Sequence, residues 1–354
     1  MGFSKVRRIK IVIMLVMAGF VLGMSSYRTL STRDGDPELM ELRLPANFPK
    51  PVYDFEKNPV TKARFELGKA LFYAPVLSSD HRISCSSCHQ ASAAFANLNT
   101  AISRGVNDCL GERNAPPLFN LAWQKEFMLD GRITNILEVP TNALTNPCEM
   151  NNHPDSILKV LKKDPDFPLL FEKAFGSTGI STENILTALT QFTVMMISAD
   201  TKYDRYIRKE PGEQLTPDEL RGYTLYKEKC SSCHTEPLFT DGSYRNNGLD
   251  ELSKDRGRDS LTHLSTDQGR FRVPTLRNIE ITRPYMHDGR FGSLKKVLQH
   301  YAADVKNHAN LDPILKKTGS RGIALSAAEQ AELISFLKTL TDINLMNDRR
   351  FINF

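Results

Sequence analysis

The chain has 354 residues, 40% hydrophobic and 25% charged, ordinary for a soluble globular protein with two or three domains and room for a sizeable core. Its formal charge is +5, but removing the N-terminal Lys5, Arg7, Arg8 and Lys10 leaves 42 basic against 41 acidic residues, about +1. With no basic stripe interleaved with aromatics, nucleic acid is excluded as an expected partner.

Residues 1–26 join those four cations to an apolar run from Ile11 to Gly23 and then Ser25 and Ser26. This is the layout of a secretory signal peptide, too short to be a comfortable membrane span. A clear A-x-A cleavage site is missing, so an N-terminal membrane anchor stands as the alternative. Both readings export the chain. Residues 27–47 read as a polar, proline-punctuated arm. Helical spacing of Ala63, Leu67, Ala70 and Leu71 predicts a helix over 58–73, ended by Pro75. Residues 91–117, rich in Asn, Gly and Ser, predict a long loop, and long loops in compact domains are usually functional. Helices are expected over 156–162, 168–175 and 182–197. The charged stretch 200–213, with Pro211 and Gly212, predicts a domain boundary. A helix over 216–229 opens on Thr216, Asp218 and Glu219, a second long loop runs over 242–269, and helices follow over 293–303 and 326–340. Period-two alternation is scarce, so the fold is expected to be mainly α with long loops.

Two short motifs stand out from this background. Cys85-Ser86-Ser87-Cys88-His89 recurs as Cys230-Ser231-Ser232-Cys233-His234. C-x-x-C-H is the attachment sequence for c-type haem: two thiols one turn apart reach the two vinyl groups of the porphyrin, and the adjacent His offers imidazole to the iron. A zinc site built from both pairs and a redox dithiol are the rival readings. A dithiol does not need the His, and no βαβ unit is indicated. Two covalently bound haem c groups are therefore expected. They also require export, because this attachment takes place outside the cytoplasm. Cys109 and Cys148 are left over, and in an oxidising compartment such a pair is a disulfide candidate.

A longer repeat accompanies the motif. After the first copy come Arg113-Asn114-Ala115-Pro116 and then Phe127-Met128-Leu129-Asp130-Gly131-Arg132. After the second come Val273-Pro274-Thr275-Leu276-Arg277-Asn278 and then Tyr285-Met286-His287-Asp288-Gly289-Arg290. The shared M-x-D-G-R, in phase with C-x-x-C-H, predicts two cytochrome c-like domains related by internal duplication, over 48–205 and 206–354.

With these motifs in place, the chain resembles the bacterial di-haem cytochrome c peroxidase family, which includes the MauG-type enzymes. The resemblance runs from about Phe48 to Thr341, on L-G-K-A-L-F-Y (67–73), I-S-C-S-S-C-H (83–89), R-N-A-P-P-L-F-N (113–120), D-G-R (130–132), N-P-C-E-M (146–150), C-S-S-C-H (230–234), V-P-T-L-R-N (273–278) and P-Y-M-H-D-G (284–289). It implies two class I cytochrome c domains and one calcium ion between them. It further implies two-electron reduction of hydrogen peroxide to water in the periplasm, with electrons from a small cytochrome c or a cupredoxin. The N-terminal domain would be peroxidatic and the C-terminal one would accept electrons. His89 and His234 would be the proximal ligands. Glu149 matches the family's distal glutamate, which can take a proton from one peroxide oxygen and return it to the other. Asn114 matches a side-chain calcium ligand, with Thr282 and Pro284 offering backbone carbonyls, a donor set suited to calcium.

Three departures from the family pattern carry meaning. The distal His that caps the peroxidatic haem in many members is missing, since no His lies between His89 and His153. An open first site that needs no reductive rearrangement is expected. Cys109 lies in that loop and Cys148 abuts Glu149, so a disulfide between them would hold the pocket open. Second, Leu129 replaces the Trp that relays electrons between the haems in the family, and Trp123 reads as a core residue. Third, the family's second distal ligand falls on Tyr301, 14 residues after His287, where peroxidases have Met and MauG-type members have Tyr. Met286, Met346 and His300 are the other candidates. The alternatives to the peroxidase are a MauG-like enzyme that oxidises side chains of a partner protein and a non-enzymatic di-haem electron carrier.

Overall fold

The computed structural model describes residues 37–317 and 320–353; the N-terminal signal or anchor segment lies outside them. The helices are α1 (Lys62–Tyr73), α2 (Cys85–Cys88), α3 (Val139–Thr145), α4 (Pro154–Lys163), α5 (Phe167–Phe175), α6 (Thr182–Val194), α7 (Lys202–Ile207), α8 (Pro217–Lys229), α9 (Asp259–Thr262), α10 (Leu294–Gln299), α11 (Ala327–Lys338) and α12 (Ile343–Asn347). Two antiparallel pairs of two-residue strands, β1 (Tyr244–Arg245) with β2 (Phe271–Arg272) and β3 (Lys316–Lys317) with β4 (Ser320–Arg321), are the strands among the described residues. Long loops connect the helices, as the composition predicts. Residues 39–354 form one compact unit.

Helix starts follow local chemistry. Thr61 accepts a bond from the Arg64 N–H at the head of α1, while Thr216 with Glu219 and Ser326 with Glu329 form capping boxes on α8 and α11. The charged stretch at 200–213 contains α7, capped by Thr201 with Asp204, and Asp204 is buried. The predicted helix over 293–303 is α-helical to Gln299 and then widens into a π turn, His300–Asp304. The arm before Phe48 is tied down in part: the Met40 N–H donates to the Val60 carbonyl, 2.9 Å.

Two helix crossings organise the packing. α1 crosses α6 at Gly68, where an added Cβ would fall 2.0 Å from the Ala188 carbonyl oxygen; α8 crosses α11 at Gly222, where it would fall 2.0 Å from that of Glu332. Both glycines let two backbones touch. Each crossing is flanked by an aromatic set in the same relative places. Phe72 lies 5.2 Å from Phe192 and 6.3 Å from Phe95, while Tyr226 lies 5.1 Å from Phe336 and 5.3 Å from Phe239. The segments beginning at Phe127 and Tyr285 also close alike: Phe127 N–H donates to the Ile133 carbonyl (2.7 Å) and Tyr285 N–H to that of Phe291 (2.9 Å). Met128 and Met286 hold φ of 65° and 76° there.

Apolar side chains accordingly gather into a large core around α1 and α6 and a second around α8 and α11. The end of the chain belongs to the first core. Phe351 is 1% exposed, packs against Phe65, Phe95 and Phe192, and its carbonyl accepts from the Tyr73 hydroxyl at 2.6 Å.

Candidate active site

Cys85 and Cys88 occupy a single helical turn whose start is fixed by a Ser84–Ser87 capping box. His89 follows directly, and its ring Nδ1 donates to the Phe95 carbonyl at 2.9 Å. That bond leaves Nε2 with its lone pair, and burial pushes the ring's pKa down, so the imidazole stays neutral. The Cys85 thiol is pushed up to about 12, first by burial and then by the neighbouring Cys88 thiol, with Glu149 adding to the shift. Burial raises the Cys88 thiol as well, a hydrogen bond with Ser103 pulls it back, and the Glu149 carboxyl adds to the rise.

Glu149 is held there by its own turn and by the loop above it. The Asn146 side-chain N–H donates to its carboxylate at 2.8 Å, and the Val106 N–H donates to its carbonyl at 2.9 Å. Gly105 is needed at this contact, because a Cβ would lie 2.2 Å from the Cys148 carbonyl and 2.4 Å from that of Glu149. Cys109 and Cys148 are joined by a disulfide with Cα atoms 4.9 Å apart, which ties the loop to the Glu149 turn. Burial raises the Glu149 pKa and the Asn146 bond partly offsets this.

The second attachment turn opens on a cleft of about 1850 Å³ counting its mouth. Cys230, Cys233, His234, Met286 and Tyr301 all line it. The His234 Nδ1 donates to the Pro274 (3.1 Å) and Phe239 (3.3 Å) carbonyls, which again leaves Nε2 free to bind a metal. Tyr301 stands on the π turn, a distortion that often marks functional positions. Burial raises its phenol pKa, and a hydrogen bond with the Asn247 side chain pulls it back. The same Asn247 amide donates to the Met286 sulfur at 3.3 Å. Of the other candidate ligands, His300 is turned to the Asn247 carbonyl (3.1 Å) and Met346 packs against the first core. Asn247 carried no sequence signal beyond a turn-forming Asn-Asn-Gly.

Asn114, Thr282 and Pro284 line one part of this cleft. The Asn114 N–H donates to the His287 carbonyl at 2.7 Å and its side-chain amide to the Thr100 (3.2 Å) and Ala101 (2.9 Å) carbonyls, so its amide oxygen remains an available acceptor. Leu129 also lines the cleft. Nearby, Arg113 binds both the buried Asp130 and Asp255 at 2.6 Å, with Phe271 stacked 4.1 Å from His287. Trp123 lies elsewhere, edge-on to Phe48 at 5.2 Å, its indole N–H donating to the Pro49 carbonyl at 2.7 Å.

Among the described residues no three His, Cys, Asp or Glu side chains converge on a metal, so the two C-x-x-C pairs do not make a joint zinc site. The chemistry of each set fits haem c: paired thiols on one turn, an adjacent neutral imidazole with its far nitrogen free and, at the second, a largely apolar cleft. A helical protein with two such sites is a di-haem c-type cytochrome.

Comparison with known proteins places it within that class. The family model for di-haem cytochrome c peroxidase matches residues 62–212. The methylamine utilization protein MauG of Methylorubrum extorquens is 32% identical over 335 residues, 92% of each chain. The cytochrome c551 peroxidase of Nitrosomonas europaea is 33% identical over 282 residues, 78% of this chain and 79% of that one. A solved MauG-like protein associated with microbial copper homeostasis superposes with a TM-score of 0.80 at 30% identity, covering 88% of this chain and 99% of its own. The chain belongs to the di-haem cytochrome c peroxidase family and is an oxidoreductase.

Proposed function

We propose that this enzyme reduces hydrogen peroxide to water, and the observation that carries the reading is Glu149, a half-buried carboxyl on a turn tied by the Cys109–Cys148 disulfide to a loop without histidine. When bound, the two haems would supply irons that exchange electrons and bind small oxygen ligands; Cys85, Cys88 and His89 would hold the first, and Cys230, Cys233, His234 and Tyr301 the second. Glu149 takes a proton from one peroxide oxygen and returns it to the other, so that water can leave. Asn146 holds the carboxylate in place for both transfers. The Cys109–Cys148 disulfide ties the loop to the Glu149 turn, which would hold the pocket open for peroxide.

The two halves, 48–205 and 206–354, are a duplicated cytochrome c unit, a reading supported by the matching helix crossings and aromatic sets. The second site would take electrons from a small cytochrome c or cupredoxin, and Leu129, which lines its cleft, is a side chain that cannot itself be oxidised. Calcium would be held by the Asn114 amide oxygen with the Thr282 and Pro284 carbonyls, residues that all line the second cleft. The enzyme works in the periplasm. No helix of the described residues is long and apolar enough to cross a membrane, so any anchoring falls to the N-terminal segment.

A second reading, oxidation of a partner protein's side chains in the MauG manner, is favoured by Tyr301 in the second cleft. Leu129 weighs against it.

Low-temperature EPR of the as-isolated diferric protein, before and after one equivalent of peroxide, tests the first reading. One high-spin and one low-spin haem are expected, with the high-spin signal consumed; two low-spin haems would refute an open first site. Glu149→Gln should keep both haems and lose roughly 10²–10⁴-fold in peroxide turnover with a reduced donor. Wild-type turnover would remove Glu149 from the mechanism.

A further inference from the structure

The two halves carry segments of one pattern, Pro116-Pro117-Leu118-Phe119-Asn120 and Pro274-Thr275-Leu276-Arg277-Asn278, and the second backs His234 through the Pro274 carbonyl. Both end on an Asn in left-handed backbone, φ 57° and 56°. They differ in chemistry at two places, where Thr275 answers to Pro117 and Arg277 to Phe119. Both polar side chains are engaged. The Thr275 hydroxyl donates to the Leu238 carbonyl at 2.6 Å and the Arg277 Nε–H to the Pro237 carbonyl at 2.8 Å. The Leu276 N–H donates to the Phe239 carbonyl (3.2 Å), and the Thr240 hydroxyl donates back to the Val273 carbonyl (2.6 Å). These bonds stitch residues 237–240 to residues 273–277. The two carbonyls that accept from His234, Phe239 and Pro274, come one from each side of that seam. At the first site Phe119 is a buried ring, and His89 donates to the Phe95 carbonyl.

Arg277 is itself anchored. It is 0% exposed, and both its terminal nitrogens donate to Asp204, also 0% exposed, at 2.7 Å. Asp204 further accepts from the Thr201 N–H (3.1 Å) and hydroxyl (2.8 Å) and from the Asn47 amide (3.2 Å). The guanidinium lies over Phe48 at 4.6 Å. A buried ion pair is a weak source of stability, because desolvation offsets most of its attraction and apolar residues of like volume often do as well. At the matching position the first half has Phe119, with no ion pair there. Asp204 also caps α7, but helix capping alone does not call for a buried guanidinium bound to it.

We propose that Arg277, its partner Asp204 and Thr275 are positioning residues that fix the two carbonyls on His234 and thereby set the reduction potential of the second haem apart from that of the first. The inference rests on His234 ligating that haem. A carbonyl on Nδ1–H makes Nε2 a stronger donor, which favours Fe(III) and lowers the potential. Freeing the seam loosens that hold, so the potential of the second haem rises.

The test is a spectroelectrochemical titration of the full-length di-haem protein as wild type, Thr275→Val and the double variant Asp204→Asn/Arg277→Met. A pyridine haemochrome assay first counts the haems; a wild type with no haem at the second site would overturn the ligation reading and the proposal with it. In variants that keep both haems, the midpoint of the second haem should rise while that of the first stays in place, and the low-spin EPR g-values of the second should move. An unmoved midpoint would overturn the proposal even if the melting temperature fell, since lost packing alone lowers stability. Thr275→Val is near-isosteric and leaves the ion pair intact, so it decides the matter if the double variant loses its haem.

Discussion

Glu149 sits where two influences oppose each other. Burial favours its protonated form, whereas the Asn146 amide bond favours the carboxylate. Proton abstraction needs the carboxylate, so the acid limb of the turnover profile follows this balance. Asn146→Asp keeps an acceptor for the Cys148 N–H, which now donates to the Asn146 side-chain oxygen at 2.9 Å, but replaces the donor that faces Glu149 with an acceptor. The Glu149 pKa should then climb, and the acid limb of kcat/KM against pH should move to higher pH. A limb left where the wild type has it would show that another group controls it. At this scale the sequence was legible wherever chemistry imposes spacing, as in C-x-x-C-H. Asn247, which touches both Tyr301 and Met286, was not legible, because a single Asn in a polar loop leaves no periodic trace. Nor was the Asp204–Arg277 pair, whose partners lie 73 positions apart.

Among elements, the long periodic helices were readable to within a few residues because their apolar faces and caps are local. α3 was not: Pro140 and the polar Thr141 and Asn142 hide its short apolar face. α7 was hidden by its charges, although Thr201 and Asp204 form a capping box that the sequence does contain. The π turn at Tyr301 was invisible because its cause is tertiary: the Ile323 N–H donates to the Tyr301 carbonyl at 2.7 Å. The crossing of α8 and α11 allows a quantitative check. Gly222→Ala gains up to about 1 kcal/mol of helix propensity, but its Cβ meets the Glu332 backbone, and forced separation of packed helices costs about 1–3 kcal/mol. A net loss of stability is expected in denaturant titrations of the holoprotein. Gly292→Ala, where a Cβ meets nothing within 4 Å, should leave the midpoint unchanged.

Across the whole molecule, the two cores are not built from two separate stretches of chain. Leu345 and Phe351 are buried in the first core although they follow every residue of the second. The tail was illegible in the sequence, since Asn-Asp-Arg-Arg-Phe-Ile-Asn has no period and the place of the Phe351 ring is set by residues far back in the chain. Phe351→Ala should cost about 3–5 kcal/mol, the usual range for deleting a buried aromatic. The loss should register first at the first haem, because Phe351 packs 6.1 Å from Phe95, whose carbonyl holds His89. Simultaneous and equal loss at both haems during thermal melting would contradict this.

The position of Phe351 also imposes a timetable. A chain made from its N-terminus presents Cys85, Cys88 and His89 more than 250 residues before the ring that completes the core behind them. Until that ring arrives, the first attachment turn belongs to an unfinished and accessible domain, which suits covalent loading of a large flat cofactor. A residue that arrives late then closes the back of a site that emerged early.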